Sequence, residues 1–286
     1  VTSDRVGPQC LAKVLVCLAL VLWAFPAHAQ LMHFDPIPFF TPADSTSRLA
    51  LVVDADRFSD SKYGWTLNRI LVTVVLPAGD GATYFIRLPH ATFDTGTMPL
   101  ASRWPDVLGP AGQDGWPADS RIASLAKIET GVTGPLVPGL AYGVALGLPT
   151  GTDRLFPFSA MNIPLRLQLR KTAFVAHEVQ VGAKIGYLLH MDSGRHELNG
   201  EAFPGGYQLG ASLTRLAWSG RRAQLTWDYR NEGGRRSQLV GIAGWAAWGE
   251  SSSLALKVAR EFQGTIDRPA EWYFTVSWRF DGSRAK

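Results

Sequence analysis

From residue 49 to residue 280 the chain alternates apolar and polar side chains with a period of two. This is the mark of strands that place one face in an apolar medium and the other in a polar one. The pattern is cleanest at 163–170, where Ile163, Leu165, Leu167 and Leu169 oppose Pro164, Arg166, Gln168 and Arg170. A helix would scatter those arginines around its axis, whereas a strand puts them on one side. At 177–189, Val179, Val181, Ala183, Ile185, Tyr187 and Leu189 oppose Glu178, Gln180, Gly182, Lys184 and Gly186. At 271–280, Trp272, Phe274, Val276, Trp278 and Phe280 share one face, with Tyr273, Thr275, Ser277 and Arg279 on the other. Two large rings near each end of that apolar face match aromatic girdles at two membrane interfaces. The remaining alternating segments are expected at 49–56, 65–76, 83–88, 122–133, 140–148, 206–218, 223–230, 239–248 and 253–262. Segment 239–248 is apolar on both faces, so its orientation stays open.

The connections after even-numbered segments are short (77–82, 134–139, 171–176, 219–222, 249–252). Several after odd-numbered ones are long (89–121, 149–161, 191–205, 263–270), although 231–236 is short as well. Short turns at one end and long loops at the other are the habit of outer-membrane barrels. The expected fold is all-β: a transmembrane antiparallel β-barrel of about twelve strands, with short periplasmic turns and longer extracellular loops. Because a charge on the lipid face costs about 2–4 kcal/mol at the midplane, the charged alternates must point inward. Arg166, Arg170, Glu178, Lys184, Asp228, Arg230, Lys257, Glu261 and Arg279 are therefore the expected lumen-lining, selectivity-setting residues.

Composition agrees with this reading. Charged residues make up 18% of the 286 residues, aromatic residues 11%, and there are 10 Trp and 29 Gly. The mean hydropathy is only +0.02, as alternation requires and as a bundle of apolar helices would not give. The net charge of +4 is spread along the chain and not gathered in blocks, so nucleic acid is not an expected partner.

Residues 1–29 have the form of a secretory signal peptide: Arg5 and Lys13, an apolar run from Val14 to Phe25, and Ala27-His28-Ala29 as a cleavage site. Both cysteines, Cys10 and Cys17, lie within it. The expected organisation is this leader, a Pro- and Phe-rich periplasmic lead-in over 30–47, a barrel over 48–280, and a periplasmic tail over 281–286. The expected location is the cell outer membrane, with its lipid as one partner.

Candidate chemistry is sparse. His190, Asp192, Ser193, His196 and Glu197 cluster at 190–197, but in a Gly-containing loop without the strained turn that raises a nucleophile. Asp54, Asp56 and Asp60 carry oxygen ligands, yet their spacing fits no defined calcium loop, and an exposed acidic loop is expected there. No glycine pattern cradles a phosphate. The expectation is a non-enzyme with no catalytic residue, no metal and no cofactor.

A strand ending in Gly147-Leu148-Pro149-Thr150-Gly151 and followed by Thr152-Asp153 resembles the outer-membrane barrels of the MetA-pathway of phenol degradation, described as transporter-like. The likeness covers roughly 122–280. At 124–130 this chain has Ser-Leu-Ala-Lys-Ile-Glu-Thr where that family has a Gly-Asp-rich strand. The resemblance implies a porin-like barrel that passes small, aromatic or apolar solutes by passive or facilitated diffusion. The alternatives are a lipid-acting barrel enzyme and a plugged structural barrel. Trp272, Phe274, Val276, Trp278 and Phe280 also look like the C-terminal signal read by the barrel-assembly machinery, which makes that machinery an expected partner.

Overall fold

The structure, a computed structural model, describes residues 49–59, 66–94, 121–125, 128–148, 150, 163–191, 206–216, 221–232, 235–248, 251–264 and 272–281. The expected leader, lead-in and His190–Glu197 cluster lie outside the described residues or side chains. So do Asp60 and the greater part of the long connections.

Every regular element described is a strand: β1 (Ala50–Ser59), β2 (Thr66–Gly79), β3 (Ala82–Asp94), β4 (Arg121–Leu125), β5 (Glu129–Val137), β6 (Leu140–Gly147), β7 (Ile163–Ala176), β8 (Val179–Met191), β9 (Gly206–Leu216), β10 (Arg222–Glu232), β11 (Arg235–Ala247), β12 (Ser252–Gly264) and β13 (Trp272–Asp281). All pair antiparallel with their neighbours. The short β4 and β5 both pair with β3, at successive heights, so together they act as one wall strand. The wall therefore has twelve strands. It closes because β13 pairs with β1 along its whole length, from Ala50 opposite Asp281 to Ser59 opposite Trp272, while β1 pairs with β2 and β2 with β3. Closure leaves no edge to aggregate.

Tight turns join strands at one end. Gly79, Asp80 and Gly81 all have positive φ between β2 and β3, where glycine is the residue that bears that conformation without strain. Pro138-Gly139 and His177-Glu178 turn the next two hairpins. The opposite end receives the long connections.

Several boundaries differ from the expectation. β1 continues to Ser59, so Asp54 and Asp56 are buried wall residues and not an acidic loop. β3 runs to Asp94, taking six residues from the expected long loop. β13 includes Asp281, whose carboxylate lies 2.8 Å from Arg279 and whose N–H bonds Ser251, so the polar tail begins one residue later than expected. The open orientation of the 239–248 segment is resolved: Leu239 and Ala243 are buried inside, and Ile242 is 65% exposed outside.

The outer surface is that of a membrane wall. Ile70, Ile86, Leu169, Leu213, Leu225, Leu256 and Val276 project outward and are exposed. Aromatic pairs stand toward both ends of the outer wall. Trp227–Tyr229, Tyr207–Tyr229 and Trp272–Phe274 lie near the long-loop end, and Trp248–Trp278 and Trp278–Phe280 near the tight-turn end. A 13-residue strand such as β11 is about 43 Å long and, tilted by about 40°, rises about 33 Å along the axis. That exceeds the roughly 25 Å apolar band of such barrels and leaves room for both girdles.

Candidate functional site: the barrel interior

What the wall keeps inside is polar at mid-height. On β1, alternation sends Asp54 and Asp56 inward; on β2 it sends Arg69 and Thr73, and on β3 Arg87. Strand pairing then fixes who meets whom. Asp56 sits directly opposite Arg69, and Arg69 Nη2 donates to Asp56 Oδ2 at 2.8 Å, with both side chains buried. Arg87 sits opposite Thr73 on one side and Glu129 on the other. Its Nε donates to Thr73 Oγ1 at 3.2 Å and its Nη1 to Glu129 Oε2 at 2.7 Å. The Arg69 and Arg87 guanidinium groups also lie over the Phe58 and Phe85 rings, at 4.9 and 5.6 Å, which adds cation–π attraction between buried groups.

The next link skips a strand. β6 lies between β5 and β7 but offers only small residues inward: Ala145 faces Arg166, and Gly147 faces Glu129. Arg166 therefore reaches across β6 to Glu129 Oε1 at 3.0 Å. The same device recurs at Gly210 on β9, which stands opposite both Lys184 of β8 and Asp228 of β10. With no side chain at Gly210, Lys184 Nζ meets Asp228 Oδ1 at 2.5 Å, and Gln208 Nε2 donates to the same oxygen at 3.2 Å. A Cβ added at Gly210 would run into Lys184 Cε and Cγ and Asp228 Oδ1. Pairs of this kind are favourable only with good geometry and further hydrogen bonds, and both are present here.

The expected interior residues take these places. Arg166, Arg170, Lys184, Asp228, Arg230, Lys257, Glu261 and Arg279 all belong to the inward-facing sets of their strands. Glu261 accepts a hydrogen bond from Tyr273 Oη at 3.3 Å, and Arg279 pairs with Asp281 at the tight-turn rim. Glu178 stands apart from the rest: it lies in the turn between β7 and β8, at the rim and not along the wall. Arg69, Arg87, Glu129, Asp54 and Asp56 are inward residues that the sequence reading did not select.

The interior is not uniform around the wall. On β13, β1, β2 and β3 it is largely sealed. Ala50, Val52, Val75 and Phe85 form an apolar cluster, and Phe58 packs edge-to-face on Tyr273 with centroids 5.2 Å apart. On β6, β7 and β8, Ala141, Gly143, Gln168, Arg170, Gln180 and Gly182 are only partly buried. The side chains of Arg166 and Lys184 keep 22% and 18% of their exposure, against 6% for Arg69 and 7% for Arg87. The partly exposed part of the interior is therefore off-centre, against β6, β7 and β8.

Among the described residues, no group of three or more His, Cys, Asp or Glu is placed to hold a metal ion.

No protein-family model and no curated protein matches the sequence. Solved structures do. An outer membrane channel from Pseudomonas putida F1 superposes with a TM-score of 0.64 at 12% identity, covering 87% of this chain and 100% of that one. The KdgM porin gives a TM-score of 0.47 at 8% identity, covering 82% and 99% of the two chains. The CymD monoaromatic hydrocarbon channel gives 0.48 at 6%, covering 85% and 91%. At such identities the first of these likenesses establishes the fold and nothing finer. The chain is a closed transmembrane β-barrel of the outer-membrane type.

Proposed function

We propose that this barrel is an outer-membrane channel that lets small molecules cross by passive or facilitated diffusion. The observation that carries this reading is the off-centre, partly exposed interior against β6, β7 and β8, lined by glycine, alanine, glutamine and basic side chains. A wall built only for rigidity has no use for space beside polar groups, because unfilled volume forfeits packing. The superposition on an outer membrane channel supports the reading at the level of fold. The finer placement, with the MetA-pathway transporter-like barrels and their aromatic or apolar solutes, rests on the resemblance around Gly147–Gly151. The selectivity role of the inward charges and the reading of the β13 aromatics by the assembly machinery belong to the same proposal.

One observation favours a second reading, a plugged structural barrel: the sealed interior of β13, β1, β2 and β3, with Phe58, Leu67, Phe85 and Tyr273 buried inside the wall. Swelling of liposomes that contain the folded protein separates the two. A channel admits small neutral sugars at a rate that falls with their size. A plugged barrel gives the rate of protein-free liposomes.

A further inference from the structure

Along its strands the open side of the interior is also free of carboxylates, and Glu178, in the turn between β7 and β8, stands at its tight-turn rim. Strands β6, β7, β8 and β9 contain no Asp or Glu at all. They send Arg166, Arg170 and Lys184 inward, while the other basic residues of those strands, Lys171 and Arg215, fall on the outward alternates. Among the described residues, two further carboxylates stand on the two flanking strands. Glu129 of β5 is shared between Arg87 and Arg166, and Asp228 of β10 is held by Lys184 and Gln208. Each carboxylate is drawn toward the margin of the open side and neutralised there. Between them lie Arg170, flanked in register by Ala141 and Lys184, and Gln168, flanked by Gly143 and Gly186. The small neighbours leave the polar ends of β7 room toward the lumen. In a narrow space with low-dielectric walls, one sign of charge focuses the field and concentrates ions of the opposite sign.

We propose that the passage hugs β6, β7 and β8 and selects small organic anions, the carboxylate class above all, with Arg166, Gln168, Arg170 and Lys184 as its specificity-determining face. This rests on the channel reading above and deepens it. A ring of charged side chains is a common way for a pore to choose its ion sign. Here it is an arc on one side of the barrel. A solute can keep an apolar body against Ala141 and Ala145 while its carboxylate moves along the arginines.

The test is the reversal potential of the full-length protein in a planar bilayer under a potassium chloride gradient. Wild-type protein should reverse on the chloride side. Arg170→Gln should lower the chloride-to-potassium permeability ratio by about sixfold, because one unit charge about 8 Å away in a water-like medium shifts anion and cation by somewhat more than twofold each, in opposite directions. Gln168→Glu, which places a carboxylate on the same face, should lower it further. Arg236→Gln, on the outer surface, should leave it unchanged. Butyrate should reduce the chloride current, and butanol should not. Current without chloride preference in the wild type overturns this inference and leaves the channel reading standing; so does a preference that survives both interior substitutions. Absence of any current overturns both.

Discussion

Gly210→Ala is the substitution that most sharply probes the interior. Gly210 has negative φ and sits mid-strand, so alanine's backbone preference alone would favour the change by a few tenths to about 1 kcal/mol. Space decides otherwise. The new methyl would fall 2.8 Å from both Lys184 Cγ and Asp228 Oδ1, closer than real Cβ atoms come, and closer still to Lys184 Cε. Cγ is not the free end of the lysine, so relief requires swinging the whole side chain away and opening the ion pair with Asp228. Removing one partner of a buried pair outright costs about 3–5 kcal/mol. Lys184 retains some exposure and can move toward the open interior, and overpacking of this kind costs about 1–3 kcal/mol. The net expectation is destabilisation by about 1–2 kcal/mol.

Gly186→Ala is the matched control. Gly186 is also buried on the inward face, one strand away on β8, but a Cβ there meets nothing nearer than 3.6 Å. It should be neutral or slightly stabilising. Urea unfolding of each variant in the same detergent, followed by loss of the compact, heat-modifiable gel band, reads the difference directly. Equal midpoints for the two variants, or a Gly210→Ala barrel as stable as wild type, would refute the bridging of Lys184 to Asp228 across a side-chain-free strand.

Three further outcomes follow from the same structure. Asp56→Leu takes from the buried Arg69 its 2.8 Å carboxylate partner and should cost about 3–5 kcal/mol, most of it recovered in the Asp56→Leu/Arg69→Met double variant; chemical unfolding of wild type, both single variants and the double variant closes the cycle. Ile242→Arg puts a cation on an outward position 65% exposed to the bilayer side and should cost up to about 2–4 kcal/mol, whereas Val240→Thr beside it should have little effect, read by the folded fraction in lipid vesicles. Phe280→Asp should reduce the amount of barrel assembled in cells, while removal of 282–286 should not, because Asp281 closes β13 through Arg279; heat-modifiable protein in the outer-membrane fraction measures both.

The wall was legible because its physics is local. Leu against Arg along β7 can satisfy lipid and lumen only as a strand, and the paired rings at the ends of β13 mark two interfaces. The interior was legible only where a charged residue stood among clear alternates, as at Arg166, Arg170, Lys184 and Asp228. Asp54 and Asp56 look like the start of a loop because two acids near a strand end are ordinarily solvated; inside the wall each meets a partner on another strand, Ser277 for Asp54 and Arg69 for Asp56. Glu129 was passed over for the same kind of reason, since its two arginines lie 42 residues before it and on a strand that is not its neighbour. No local pattern reports that a residue reaches over β6 or β9. That depends on register, which sets Ala145, Gly147 and Gly210 in the path of the longer side chains.

We propose a passage through the barrel along β6, β7 and β8. Single-channel recording of the purified, folded protein in a planar bilayer tests it most directly. Discrete, repeatable current steps, of a size that changes with Arg170→Gln, are the predicted result. A folded barrel that inserts and passes no current under any applied voltage would contradict it.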